Sequence, residues 1–436
     1  MTIERQLSVC LLGAGTALLC AGSDGGVLAR QPEPTQKRSC ELPAELKGMT
    51  GHVLVRYTVN EAGKVNFVKP AFATADPEAR REELVASVTS CVKEWSYRPA
   101  ETRRPANAVS GNPTFSVEFL QGFHYFDPAG AGTEWIELEG GRKVPRAHIE
   151  KMRALKIELA MQLLAGPDRH ETKGTGWSLK TNVSPKERKA LVGGVEFALQ
   201  AFDRVFEDAP PLPESSRLVL LLLGSEDAFN QVAAFDRIFR GPKPAGEYTP
   251  ADETAYAFAS DREHPLKMSV ETTVHETVHH LVQQRLAGVT RPAPYWVNEG
   301  IASYFELLKA DKTGAFDPRK FKRGRQAEGT YYWPSKADMY LEAFERNMKS
   351  GTIPDFAAFL EGRFEKIGVE TSYGLSWILT HYMLFGENGA LKKPFLDWAT
   401  GPMGSAADEG VAKALGRTPE QILAGVTAYA GVMKRS

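Results

Sequence analysis

HETVHH, residues His275 to His280, places three of the chain's nine histidines within six positions, with a glutamate beside the first. The arrangement has a simple meaning if the segment is a helix. His275 and His279 are four apart and project from nearly the same side, so their imidazoles can converge on one metal ion. Glu276 stands about 100° around the axis, close to that ion without being a ligand. Val270, Val274, Val278, Leu281 and Val282 supply a separate apolar stripe, so the ligands flank the buried face. Gly288 is placed to cap the end of the helix. His280 points elsewhere and reads as an ordinary polar or supporting residue. The competing bland reading is a surface helix with solvated histidines.

What strengthens the metal reading is WVNEGIASYFE, Trp296 to Glu306. A catalytic metal ion needs a third protein ligand and one position left open. Glu299 offers the ligand at the start of a second helix. The nineteen residues between it and His279 leave room for a helix end, a proline-rich turn and a return. Glu306 comes seven residues later on the same helix face. It can orient a ligand histidine from behind, together with Asn298, or it can be solvated.

These two segments resemble the gluzincin metallopeptidases. Trp296, Asn298-Glu299-Gly300, Ala302-Ser303-Tyr304 and Glu306 match the aminopeptidase N-like pattern, and Glu299 falls on that family's third zinc ligand. The resemblance covers roughly residues 172 to 390, with specificity in the two motif segments. It implies one Zn2+ per chain held by His275, His279 and Glu299, with Glu276 as general base. It also implies an oxyanion-stabilising tyrosine downstream. Tyr373, in SYGLSWILTHYMLF, sits at about that place, with Tyr332 and His381 as rivals and a core aromatic as the plain alternative. The ligand spacing is one residue longer than in those aminopeptidases. Their GxMEN segment, which holds a substrate's free amine, is absent. The compact layout is closer to the peptidase MA group of bacterial envelope proteins, and the activity implied is an endopeptidase rather than an aminopeptidase. Ala255 to Ala259 (AYAFA) precedes the histidine helix, as does the edge strand that receives the peptide backbone in gluzincins; an extended peptide is expected to pair there.

Around this motif the pattern is α+β. Trp177 to Val183 alternates like a strand, Ser184-Pro185 starts a helix running to about Phe206, and Arg217 to Leu223 (RLVLLLL) reads as a buried strand. Mostly helical pattern comes after the motif. The expected domain, residues 172–436, has a thermolysin-like gluzincin fold: a mixed sheet plus a helical lobe.

Upstream, HVLVRYTVN (His52–Asn60) alternates with Val53, Val55, Tyr57 and Val59 on one face. A turn around Gly63 leads to KVNFV (Lys64–Val68), with Val65 and Phe67 expected inward. Asp76-Pro77-Glu78 reads as a helix start, with Asp76 as cap and Pro77 in the first helical position. That helix is expected to bury Leu84, Val88, Cys91, Val92 and Trp95. Thr114 to Leu120 is the next strand. Gly51 to Val55, Gly63, and Trp95-Ser96-Tyr97-Arg98-Pro99-Ala100 together resemble the C-terminal domain of TonB-like envelope proteins, over residues 39–122. In that family the module binds other envelope proteins; packing on a neighbouring domain is the alternative. Residues 123–171 connect the two domains through a helix over Val144–Ala165.

Leu7 to Ala21 is apolar, uncharged and too short to span a bilayer comfortably. It reads as a secretory signal (residues 1–23), followed by a linker (24–38). Cys10 and Cys20 leave with it. Cys40 and Cys91 remain, an even pair in an oxidising compartment, and a disulfide between them is expected. The net charge of −1 gives no reason to expect nucleic acid or an anionic membrane as partner, and no further apolar run is long enough to cross a bilayer. The expectation is an exported zinc-dependent peptidase, periplasmic or secreted, in a Gram-negative envelope, acting on a peptide or protein. The contrasting reading is a non-enzymatic envelope scaffold with a structural metal site.

Overall fold

In the computed structural model the described residues run from 27 to 433, apart from 31–32, 37–39, 41, 47–48, 61, 99–100, 104–115, 126–134, 139–141, 167–168, 234–244, 250–252, 260–265, 287–293, 312–313, 329–330, 351–354, 363–368 and 400–409. The expected signal segment and Gly288 lie outside them. The chain divides into two compact units. The first takes residues up to Leu163 with Asp227–Pro244; the second takes Leu164–Glu226 with Ala245–Ser436.

The first unit is built on a three-stranded antiparallel sheet. β1 (Thr50–Asn60) lies between β2 (Val65–Asp76) and β3 (Ser116–Tyr125). α1 (Arg81–Lys93) packs across β1 and β2. The alternation in β1 puts Val53, Val55, Tyr57 and Val59 into one core with Leu84, Val88, Val92, Trp95 and Tyr97. Cys91 is only partly buried there, and it forms a disulfide with Cys40 across a Cα separation of 5.6 Å. Phe67 departs from expectation: it is 49% exposed. The cause is a bulge. Thr58 pairs with Phe67 but Val59 pairs with Val65, so one extra residue inverts the facing of the strand beyond it. Val65 and Val68, three apart, therefore both pack on the core while Phe67 faces out. Asp76 does not cap a helix either. It is the last residue of β2, and Pro77 caps a single 3-10 turn, Glu78–Arg80, that precedes α1. α2 (Arg146–Leu163) is shorter than the expected span at both ends.

The second unit mixes helices with a five-stranded sheet. β4 (His170–Gly174) and β5 (Trp177–Thr181) form a hairpin; the first of these was not evident in the sequence. α3 (Pro185–Val205) starts at a capping box, in which Ser184 and Glu187 satisfy each other's backbone amides. β6 (Leu218–Leu223) is the parallel centre strand, with neighbours on both sides, which is why it reads as an unbroken apolar run. Two strands complete the sheet: β7 (Gly246–Thr249) and β8 (Thr254–Phe258). Their order is β4-β5-β6-β8-β7.

That order corrects one expectation. The AYAFA segment is β8, hydrogen-bonded on both sides, so no peptide can join it. The edge strand is β7, in a segment whose glycines and prolines gave no strand signal. It runs antiparallel to β8, with Gly246 opposite Ala257 and Tyr248 opposite Ala255.

α4 (Leu266–Leu281) carries the three histidines and continues as a π-helical turn, Val282–Leu286. It is buried all round from Glu271 to Leu281, between α3, the sheet and the next helix, rather than along one stripe. α5 (Tyr295–Leu307) crosses it, the short strand Leu308–Ala310 that follows pairs with β9 (Phe316–Phe321), and α6 (Lys336–Ser350) and α7 (Val369–Phe385) close the helical side. Among the described residues no helix is long and apolar enough to cross a membrane.

Candidate metal centre

α4 and α5 bring His275, His279 and Glu299 together. His275 Nε2 lies 3.2 Å from Glu299 Oε2, and His279 Nε2 lies 3.6 Å from the same oxygen. One donor atom from each of the three falls within 4.8 Å of the others, and all three residues are buried. Two imidazole nitrogens and a carboxylate oxygen form a donor set suited to a divalent first-row ion, and this group could hold one. The glycine after Glu299 is required by packing. A Cβ at Gly300 would overlap Thr380 Oγ1 and the Ser376 carbonyl, so α5 and α7 meet there backbone to backbone.

Behind the ligands is a second layer. His275 Nδ1 is 3.1 Å from Glu306 Oε2, which leaves Nε2 facing Glu299. The other Glu306 oxygen accepts from Lys336 Nζ of α6. Lys322 Nζ donates 2.8 Å bonds to the Glu306 carbonyl and to Glu271 Oε1. Asn298 lies near the ring of His279, whose Nδ1 has no hydrogen-bond partner among the described residues. Lys322, Lys336 and Glu271 carried no signal in the sequence. They are remote along the chain, and only folding brings them to Glu306.

The electrostatics are set by burial. Glu247, Glu271, Glu276, Glu299 and Glu306 are five buried carboxyl groups, with the ammonium groups of Lys322 and Lys336 paired to Glu271 and Glu306. The remaining negative charge is offset by protons when no cation is bound. Burial disfavours a charged His275, but its hydrogen bonds to Glu299 and Glu306 prevail and raise it to about 10. Glu276 is raised to about 8: burial and the charges of Glu299, Glu247 and Glu306 outweigh the attraction of His275. Burial lowers His279. Glu306 falls to about 2 despite its burial, because Lys336 and His275 favour its charged form. Glu299 is lowered by His279 and His275, also against burial.

Glu276 sits on α4 one residue after the first ligand. The edge strand passes directly over it: a Cβ at Gly246 would stand 2.5 Å from Glu276 Oε1 and 2.7 Å from Thr272 Cγ2. The candidates for oxyanion stabilisation separate in space. The Tyr373 ring centroid is 6.3 Å from that of His275, and its hydroxyl shares hydrogen bonds with Glu299 and Tyr295. His381 belongs to an aromatic cluster with Tyr304, Phe321, Trp377 and Phe385, and its Nδ1 is 2.9 Å from Tyr429 OH. Tyr332 lies in the strand Tyr331–Pro334, whose side chains fall outside the described residues. His280 turns away from the ligands. Its Nε2 is 2.8 Å from Ser216 Oγ and its Nδ1 is 3.1 Å from Tyr248 OH; burial lowers it to about 4.

Residues 269–396 match the model of a family described as protein of unknown function (DUF1570). The match covers less than a third of the chain but includes most of α4 and all of His275, His279 and Glu299. No curated protein matches.

Proposed function

We propose that this chain is an exported zinc peptidase of gluzincin type, cleaving internal peptide bonds, with a TonB-like module before the catalytic domain. The observation that carries the reading is the buried His275, His279 and Glu299 group with Glu276 on the same helix. Zinc suits the donor set, and when bound it supplies Lewis acidity to water and to the substrate carbonyl. The rest falls to the chain's own residues. Glu276 takes the proton of the attacking water and returns it to the leaving amine. Tyr373 donates a hydrogen bond from its hydroxyl to the developing oxyanion. Glu306, pinned by Lys336, fixes the ring of His275, and Asn298 steadies His279. The outer edge of β7 takes an extended substrate backbone beside Glu276.

The apolar segment at Leu7–Ala21 and the Cys40–Cys91 disulfide support export to an oxidising compartment, in the envelope of a Gram-negative cell. In the TonB-like module β2 and β3 are the outer strands of the sheet, and an envelope protein partner would dock there.

The test is Glu276→Gln, which keeps the shape and removes the base. Turnover of a broad peptide library should fall roughly a hundred- to ten-thousand-fold with fold and zinc content retained. Equal rates at matched zinc content would remove Glu276 from the mechanism. A non-enzymatic scaffold with a structural metal has no use for a buried base beside its ligands; an inactive wild type with zinc bound would favour that scaffold.

A further inference from the structure

The third histidine of the HETVHH stretch is used by neither the ligand group nor the base. It is nevertheless buried and bonded at both ring nitrogens. Tyr248 OH, on the edge strand β7, is 3.1 Å from Nδ1, and Ser216 Oγ, just ahead of the centre strand β6, is 2.8 Å from Nε2. Ser216 Oγ in turn lies 3.4 Å from Glu253 Oε2, which also accepts from the Arg217 amide at 2.6 Å; Glu253 Oε1 accepts from Gln284 Nε2 at 3.1 Å. A carboxylate can only accept, so the network runs one way. Tyr248 donates to His280, His280 donates from Nε2 to Ser216, and Ser216 donates to Glu253. The Tyr248 and His280 rings also meet edge to face at 5.8 Å.

β7 needs such a brace. It is four residues long and, among the described residues, has a ladder on one side only, to β8. Two residues before Tyr248, the strand lies against the Glu276 carboxylate at Gly246. Its height over α4 therefore sets both the space around the base and the line along which a peptide backbone would pair.

We propose that His280 is a positioning residue: through Tyr248 it holds the edge strand β7 against the metal helix, so that an extended peptide laid along β7 is presented to the metal centre. This rests on the peptidase reading. It assigns the third histidine to substrate placement rather than to metal binding.

Two probes separate these roles in the zinc-loaded full chain. Acetohydroxamate reaches the metal alone; a tripeptide hydroxamate reaches the metal and lies along the strand. Tyr248→Phe removes a single hydroxyl and His280→Leu removes both bonds. Tyr248→Phe should weaken the tripeptide hydroxamate roughly threefold to tenfold, the range expected for one hydrogen bond, and leave acetohydroxamate binding and zinc stoichiometry unchanged. His280→Leu should weaken it further, and His280→Gln, which can both accept and donate, should recover part of the loss. If His280→Leu does not fold, Tyr248→Phe alone decides. Wild-type affinity for the tripeptide hydroxamate in Tyr248→Phe would overturn the inference and leave the peptidase reading standing. Equal weakening of both probes would also overturn it, because His280 would then act through the metal helix. A zinc-loaded wild type that binds neither probe would refute the peptidase reading, and this inference with it.

Discussion

Metal uptake should release close to two protons at pH 7. The perturbation is titration of the metal-free chain with zinc. Without a cation, His275 is held at about 10 by Glu299 and Glu306, and Glu276 at about 8 by burial and neighbouring carboxylates. At pH 7 both carry a proton. A ligating imidazole must give its proton up, and a divalent charge beside Glu276 favours its carboxylate. Three pH units of His275 protonation and one of Glu276 protonation cost about 5 kcal/mol at 1.36 kcal/mol per unit, so the apparent affinity at pH 7 lies roughly ten-thousandfold below its limit. Affinity should rise about a hundredfold per pH unit below 8, where two protons are displaced, about tenfold per unit between 8 and 10, and level off above. Calorimetry in buffers of different ionisation enthalpy counts the protons directly. Glu276→Gln should reduce the count from about two to about one. A pH-independent affinity, or a count near zero, would refute the account of a site neutralised by protons in place of a cation.

Metal-free protein should also lose stability as pH rises from about 6.5 to 10, above the range in which the lowered His279 and His280 act in the opposite sense. Both raised groups bind more protons folded than unfolded: the Glu276 contribution runs from its ordinary carboxylate range to about 8, and that of His275 from its ordinary value to about 10. Chemical denaturation at pH 7 and pH 9 checks this, and saturating zinc should flatten the difference. Gly246→Ala places a methyl group against Glu276 Oε1 and Thr272 Cγ2, so it should cut peptide turnover severely while zinc content stays stoichiometric. Reducing Cys40–Cys91, which closes a loop of 51 residues, should cost the first unit about 4 kcal/mol in the chain-entropy model; thiol mapping and denaturant titration with and without reductant measure it.

The elements legible in the sequence are those whose reason is local. Four-residue spacing brings His275 and His279 to one face of any helix. An unbroken apolar run is what a parallel strand with two covered faces requires, and β6 has it. Ser184 to Glu187 is a self-contained helix start. Alternation in β1 fixed the core face of the first sheet. Glu299 and Glu306 share a helix face because they are seven apart, and their placement at the two ring nitrogens of His275 needed only that α4 and α5 meet.

What only the tertiary structure decided depends on residues distant along the chain. The extra residue in β2 turned Phe67 outward, and hydrophobic alternation cannot register a bulge. β7 carries no strand signature in its own composition; the free edge of β8 recruits it, and this moved the edge of the sheet from AYAFA to Gly246–Thr249. Lys322 and Lys336 acquire meaning only where folding buries Glu271 and Glu306 beside them, since a charge's partner is set by distance in space and by the loss of water. The same holds for His280. Its position on the helix turns it away from the ligands, but only the folded sheet gives it Tyr248 and Ser216.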